Sequence, residues 1–132
     1  MKPENLHYAK THEWVAVATE GGAKVATVGI SAFAVEALTD LVFIELPKVG
    51  AQVKAEQPFC EVESVKAVSD VYAPVAGEVV EVNTSLPDNL EVLSTDPYGK
   101  GWIAKIKITD DANLAKLLNH AAYQKQCAEE SH

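Results

Sequence analysis

Arginine is absent from this chain: all eleven basic residues are lysine, set against nineteen Asp and Glu. Arginine supplies the planar fork that grips phosphate or carboxylate through two parallel hydrogen bonds. Without it, and with a formal net charge of −8, nucleic-acid binding and a phosphate clamp are both poor fits. Cysteine is scarce. Cys60 and Cys127 stand far apart in no metal-ligand spacing, and they read as small hydrophobes kept reduced in a cytosol-like compartment. His7, His12, His120 and His132 form neither an H-x-x-x-H nor an H-E-x-x-H pattern, so no metal site is expected. No apolar run approaches the length of a membrane span. The opening Met1-Lys2-Pro3-Glu4-Asn5 has neither a signal core nor an Arg-rich transit pattern. The expectation is a cytoplasmic bacterial protein, or a processed chain of the mitochondrial matrix, with no membrane or nucleic-acid partner. The acidity predicts a soluble monomer that meets partners through their positive patches.

What is present fits one domain spanning residues 1–132, since 132 residues with 48% hydrophobic and 23% charged content can bury one core. Glu13 to Val17 reads as a strand, Glu20-Gly21-Gly22 as a turn, and Ala23 to Val28 as the returning strand of a hairpin. The period then becomes helical. Ile30, Phe33, Ala34, Ala37, Leu38 and Leu41 share one helix face, expected to pack inward, with Ser31 as N-cap. Short strands follow: Leu41 to Leu46, Phe59 to Val62, Val71-Tyr72, Glu78 to Val82, and Trp102 to Ile108. In the last of these, Trp102, Ala104, Ile106 and Ile108 point one way and Lys105 and Lys107 the other, which makes Trp102 a core anchor. Asp96-Pro97-Tyr98-Gly99-Lys100-Gly101 has the chemistry of a turn. Leu114, Leu117, Leu118 and Ala121 form a final helical stripe, with Asp110 and Asp111 in its first turn. The β core is thus expected over about 13–108 and a helical tail over about 110–129. Such a pattern predicts an all-β-dominated fold, a sandwich or small barrel with peripheral helices.

The stretch most suggestive of chemistry runs from Glu61 to Val79. Two strand-like runs flank a lone lysine among small and β-branched residues, Glu63-Ser64-Val65-Lys66-Ala67. If the runs pair, Lys66 lies at or near a hairpin tip, with no salt-bridge partner inside the turn. A lysine so placed can enter a modifying enzyme's site, and acylation would remove its charge. On pattern alone an ordinary surface lysine fits as well. An enzyme using Cys60 or a histidine as its reactive group is the rival reading of another class.

Glu63-Ser64-Val65-Lys66-Ala67 with Ser69-Asp70 resembles the lipoylation motif of glycine cleavage H proteins. Thr11-His12-Glu13-Trp14 resembles that family's N-terminal signature, and Gly29-Ile30 its entry to the helix. Asp40 to Pro47, Gly77 to Asn83 and Asp96 to Trp102 continue the likeness in register over nearly the whole chain. Biotinyl domains place Met on both sides of the lysine, whereas Val65 and Ala67 flank it here. The resemblance implies a flattened β-barrel or sandwich of the lipoyl/biotinyl (barrel-sandwich hybrid) type, with an inserted helix and C-terminal helices. It implies a non-catalytic carrier with lipoic acid attached covalently to Lys66, in a motif flanked by Glu63, Ser64, Val65, Ala67 and Asp70. The implied partners are glycine decarboxylase, aminomethyltransferase, dihydrolipoamide dehydrogenase and the lipoylating enzymes. A sister carrier serving sulfur oxidation or lipoyl relay is the alternative. Glu13 matches a position beside a cleft for the loaded arm. Phe33 stands where the family commonly has His, and it is expected to make that cleft's wall more apolar. Thr39, Ala55, Leu90 and Ser94 also depart from the usual pattern.

Overall fold

The computed structural model describes residues 3–38, 40–110 and 112–130; Thr39, Asp111 and His132, named above, lie outside them. After a 3-10 turn at Pro3–Asn5, the order is β1 (His7–Tyr8), β2 (Glu13–Glu20), β3 (Ala23–Ile30), α1 (Ala32–Leu38) and β4 (Leu41–Glu45). Next come β5 (Gln52–Val53), β6 (Pro58–Ser64), β7 (Val68–Tyr72), β8 (Ala76–Val82), α2 (Val92–Thr95), β9 (Ala104–Asp110) and α3 (His120–Glu130). The strands form two sheets: a six-stranded one in the order β1-β2-β3-β9-β8-β5, and a three-stranded one in the order β4-β6-β7. Of the two expected forms the sandwich is the one found, because neither sheet closes on itself.

Apolar side chains from both sheets meet in one cluster. Val15, Val28 and Ile106 come from the larger sheet, and Ile44, Val62 and Val71 from the smaller, all essentially sealed from water. Each such side chain contributes about 1.5–3 kcal/mol. A second cluster gathers Leu6, Tyr8, Trp14 and Tyr123 where α3 returns to the N-terminal segment.

The β2–β3 hairpin is longer than expected at both ends. Its register brings Glu20 opposite Ala23, so Gly21-Gly22 is a two-residue connection with φ of 58° and 82°. Both positions need the left-handed region that matches the twist of paired strands, and glycine supplies it without a side-chain clash. At the other end Trp14 pairs with Gly29, where an added Cβ would come within 2.5 Å of the indole. The Trp14 Nε1–H donates to the Pro97 carbonyl at 2.9 Å, fixing the hairpin to the Asp96–Gly101 turn. That turn forms as expected, with the Asp96 carbonyl accepting from Gly101 and its carboxylate from Lys100.

Three expectations need correction. In α1 the buried residue is Val35, while Ala37 is exposed and Phe33 is half-buried. Seven residues make fewer than two helical turns, so the facing of α1 follows its cap and its neighbours rather than the apolar count. Ser31 does cap it: the Ala34 N–H donates to the Ser31 hydroxyl at 3.3 Å. Second, β9 begins at Ala104. Ile103 takes the fully buried place, and Trp102 is half-buried at the second cluster, with the Lys105 ammonium 5.7 Å above its ring. Third, the tail is not one helix. Asp110 ends β9 and its carboxylate accepts from the Ala112 N–H at 2.9 Å, opening a 3-10 turn at Ala112–Lys116. Leu118 then pairs with Tyr8 through two backbone hydrogen bonds, which withdraws it from any helix, and α3 starts only at His120. Ala121 is exposed; Tyr123 is the buried residue of α3.

Candidate functional site

Lys66 lies at the tip of the β6–β7 hairpin, as its flanking runs suggest. Glu63 pairs with Val68, and the Ser64 N–H donates to the Ala67 carbonyl at 2.8 Å, leaving Val65 and Lys66 as the two outermost residues. No glycine closes this turn, and neither Val65 nor Lys66 takes a positive φ. The Ser64 hydroxyl compensates. It accepts from the Ala67 N–H at 3.1 Å and donates to the Ala67 carbonyl at 3.2 Å. The Val65 N–H also donates to the Asp40 carbonyl at 3.0 Å, tying the tip to the start of β4. The lysine therefore projects from a braced turn, exposed, with no ion pair among the described residues.

The surface around it is mixed. Val42, Phe43, Val65 and Val68 are exposed apolar side chains near the turn. Glu45, Glu61 and Asp70 lie in register across the three strands below them. Glu63 and Asp70 are not a symmetric pair about the tip. Glu63 is the first residue below the turn, whereas Asp70 pairs with Glu61, two residues further down.

Beside this hairpin, a cavity of about 190 Å³ opens between α1 and the strands β6 and β7. Ala34, Ala37 and Leu38 form its helical wall, and Ser69, Asp70 and Val71 the wall on β7. Thr11, His12 and Glu13 enter it from the N-terminal segment. Glu13 is the decisive group, with 1% of its surface exposed. Its carboxylate accepts from the Thr11 hydroxyl and, at 3.1 Å, from the Tyr72 N–H. Burial pushes its carboxyl up to about 7 against the opposing pull of these donors. Four larger hollows, of about 260, 310, 510 and 630 Å³, have no Glu13 in their walls. A buried carboxyl that titrates near neutrality marks a site better than volume does.

Phe33 does not line this cavity itself; it stacks on the ring of His12, which does, at 5.0 Å between centroids. Thr11 and Ser69 stand in the sequence motifs without a site role there, and the Tyr72 backbone is the site group that sequence reasoning missed. Cys60 is buried, and burial pushes its thiol far above the ordinary range, which makes it a poor nucleophile. No group of His, Cys, Asp and Glu among the described residues could hold a metal ion, and no helix is long and apolar enough to cross a membrane.

A model of the glycine cleavage H-protein family matches residues 6–130. The chain belongs to that family. The glycine cleavage system H protein of Rhodopirellula baltica is 58% identical over 127 residues, covering 96% of each chain. That of Halorhodospira halophila is 52% identical over 128 residues, covering 97% of this chain and 96% of the relative. The crystal structure of the Mycobacterium marinum H protein superposes with a TM-score of 0.85 at 42% identity, covering 95% of this chain and 98% of the other. Membership gives the chain a carrier role in glycine cleavage rather than a catalytic one.

Proposed function

We propose that the chain acts as a single lipoyl-carrier domain in the cytoplasm, with lipoic acid in amide linkage to Lys66. It ferries the aminomethyl group of glycine from glycine decarboxylase to aminomethyltransferase, and dihydrolipoamide dehydrogenase restores it. The observation that carries this reading is the braced, exposed Lys66 at the tip of a hairpin whose β7 strand also bonds the buried Glu13 carboxyl of β2. The lipoyl group, when bound, supplies the dithiolane whose reduction and sulfur chemistry the protein itself lacks.

The residues present fit such a group. The Lys66 Nζ is free to form an amide, which exchanges an ammonium for a neutral link. Ser64 and Asp40 hold the turn, so the attachment point keeps its direction. The apolar Val42, Phe43, Val65 and Val68 offer contact to an enzyme approaching the tip. The carboxylates of Glu45, Glu61, Glu63 and Asp70 offer complement to its positive patches.

Tip and cavity are neighbours. Asp70 lies two residues beyond Val68, itself the first strand residue after the turn, so on the order of 10 Å separates Lys66 from the cavity mouth. A protonated amine arriving there would find Glu13. Its carboxyl, held near its midpoint at neutral pH, ionises when a cation comes close. The Thr11 hydroxyl and the Tyr72 N–H keep that carboxylate in place. The apolar walls exclude water, which protects a hydrolysis-prone cargo.

The test is intact mass. Protein made alongside a lipoylating enzyme should gain the mass of one lipoyl group, and the Lys66→Arg variant should gain none. Full modification of Lys66→Arg would remove Lys66 from the reading.

A further inference from the structure

His12, beside the cleft, has a role that membership in the family does not assign. It is one of two non-glycine residues with positive φ among those described, at 80°. A positive φ costs any residue but glycine, histidine less than most, and it persists where the surroundings over-determine the conformation. Here they do so from four directions. The His12 N–H donates to the Ala9 carbonyl, and its own carbonyl accepts from the Ser31 N–H, both at 2.9 Å. Ring atom Nδ1 is 2.7 Å from the Tyr123 hydroxyl and Nε2 is 3.2 Å from the Glu130 carboxylate, both on α3. The ring face lies on Phe33 of α1.

α3 itself supplies none of the cavity wall. Besides the Gln126 side-chain amide, which donates to the Lys10 carbonyl at 2.9 Å, its grip on the groups around the cavity runs through two points that share Tyr123. One is the His12 ring. The other is Ser31, whose hydroxyl both caps α1 and bonds the same Tyr123 hydroxyl. Tyr123 is in turn held by stacking on Tyr8 at 4.3 Å, nearly parallel. One phenol on the C-terminal helix thus holds both the residue preceding Glu13 and the cap of the helix forming the opposite wall.

We propose that His12 is a positioning residue: through it, α3 fixes the Glu13 carboxyl and α1 relative to each other, and so sets how long the cargo stays sheltered. This rests on the cleft reading above, in which Glu13 receives the cargo. His12 need not touch that cargo; its ring transmits the position of a helix that lies outside the cleft.

Three variants test it. His12→Gly keeps the left-handed backbone available and removes the ring. Tyr123→Phe removes the shared hydroxyl and keeps the stack on Tyr8. Glu13→Gln probes the cleft reading itself. In loaded protein, cargo release should quicken about five- to tenfold in His12→Gly and in Tyr123→Phe, the size of effect of one lost hydrogen bond. In unmodified protein, carboxyl-carbon NMR should show the Glu13 titration moving down toward the ordinary carboxylate range in both variants, as water enters. A purely structural role would lower the melting temperature and move neither readout. If Glu13→Gln quickens release while His12→Gly and Tyr123→Phe leave release and the Glu13 titration at parental values, the positioning role is overturned and the cleft reading stands. If Glu13→Gln itself releases at the parental rate, the cleft reading falls, and the positioning role falls with it.

Discussion

Two hairpins of this molecule, β2–β3 and β6–β7, close in opposite ways. The β2–β3 hairpin closes with Gly21-Gly22, both residues left-handed, so the strands meet with no side chain at the end. The β6–β7 hairpin closes with Val65-Lys66, neither left-handed, and needs the Ser64 hydroxyl and the Asp40 carbonyl to hold it. A glycine pair is the easier closure for twisted strands. The second hairpin forgoes it and thereby presents a lysine in a fixed direction. The difference separates a turn that only reverses the chain from a turn that presents a group.

The comparison breaks most visibly by moving the lysine. Lys66→Ala combined with Gly22→Lys places the only tip lysine on the first hairpin, away from the Glu63-Ser64 brace and the apolar residues around it. Mass spectrometry should find no lipoylation at position 22, a complete loss against the parent. Modification there would mean that any exposed turn lysine suffices.

Next in size is a pH effect from the flank of the second hairpin. The Glu13 carboxyl loses its proton near 4.5 in the unfolded chain but only at about 7 when folded, because burial disfavours its charge. Its protonated form is therefore a stabilising contribution that is whole below pH 4.5. That contribution shrinks as the pH rises and is gone once the pH has passed through 7. The difference amounts to on the order of 3 kcal/mol. Denaturant unfolding at pH 4.5 and pH 8 should show the parent losing this much more than Glu13→Gln does. Equal losses would mean that folding leaves the carboxyl at its ordinary value.

The turns themselves come next. Ser64→Ala removes a hydroxyl that both accepts and donates within its turn, and should cost about 1–2 kcal/mol. It should also slow lipoylation, because the tip loses its brace. Gly22→Ala puts a Cβ at a φ of 82° with open space around it, so its cost is backbone strain alone, about 1 kcal/mol. Lipoylation should be unaffected. Thermal unfolding and modification rate measured on both variants should therefore separate; parallel changes would make the two turns equivalent.

How far the sequence foretells this arrangement depends on the range of each contact. The Lys66 tip is legible because both flanking strands are contiguous with it, and β-alternation needs only local residues. The longer strands are legible for the same reason, while β1 and β5, two residues each, carry too little pattern to show. The cleft is different. As a cleft residue Glu13 entered only through resemblance, since the Thr11 hydroxyl near it in the chain is an ordinary local donor and the second donor is the backbone of Tyr72, 59 residues away. The clasp of His12 by Tyr123 joins residues 111 apart, and no periodicity reports that. The inward face of α1 was misread because apolar spacing gives the period of a helix and not its phase when the helix is only seven residues long, and Val35 rather than Phe33 or Ala37 is its buried residue. The tail was read as one helix because Leu114, Leu117 and Leu118 keep helical spacing, although the pairing of Leu118 with Tyr8 interrupts it.

The smallest expected effect sharpens the comparison at the level of one charge. Glu63 is the first residue below the lysine turn, half-buried, paired with Val68 and with Phe43 on its other side. Glu20 is the carboxylate nearest the tip of the first hairpin, directly before Gly21, opposite Ala23 and exposed. Neither side chain makes a core contact, so replacing either by Ala should change stability by no more than about 0.5 kcal/mol. If the second turn is built to be read by an enzyme, Glu63 belongs to what is read: a carboxylate beside the target amine steers a positively charged partner and fixes its approach. Glu63→Ala should then lower the lipoylation rate a few-fold, the more so at low ionic strength, where charge steering is least screened. Glu20→Ala should lower it at no salt concentration. The two measurements together, rate against salt and melting temperature, decide whether the carboxylate acts on the partner or on the fold. A rate for Glu63→Ala equal to the parent's at low salt would leave Glu63 a solvated charge, and recognition would rest on the apolar side chains around Lys66 alone.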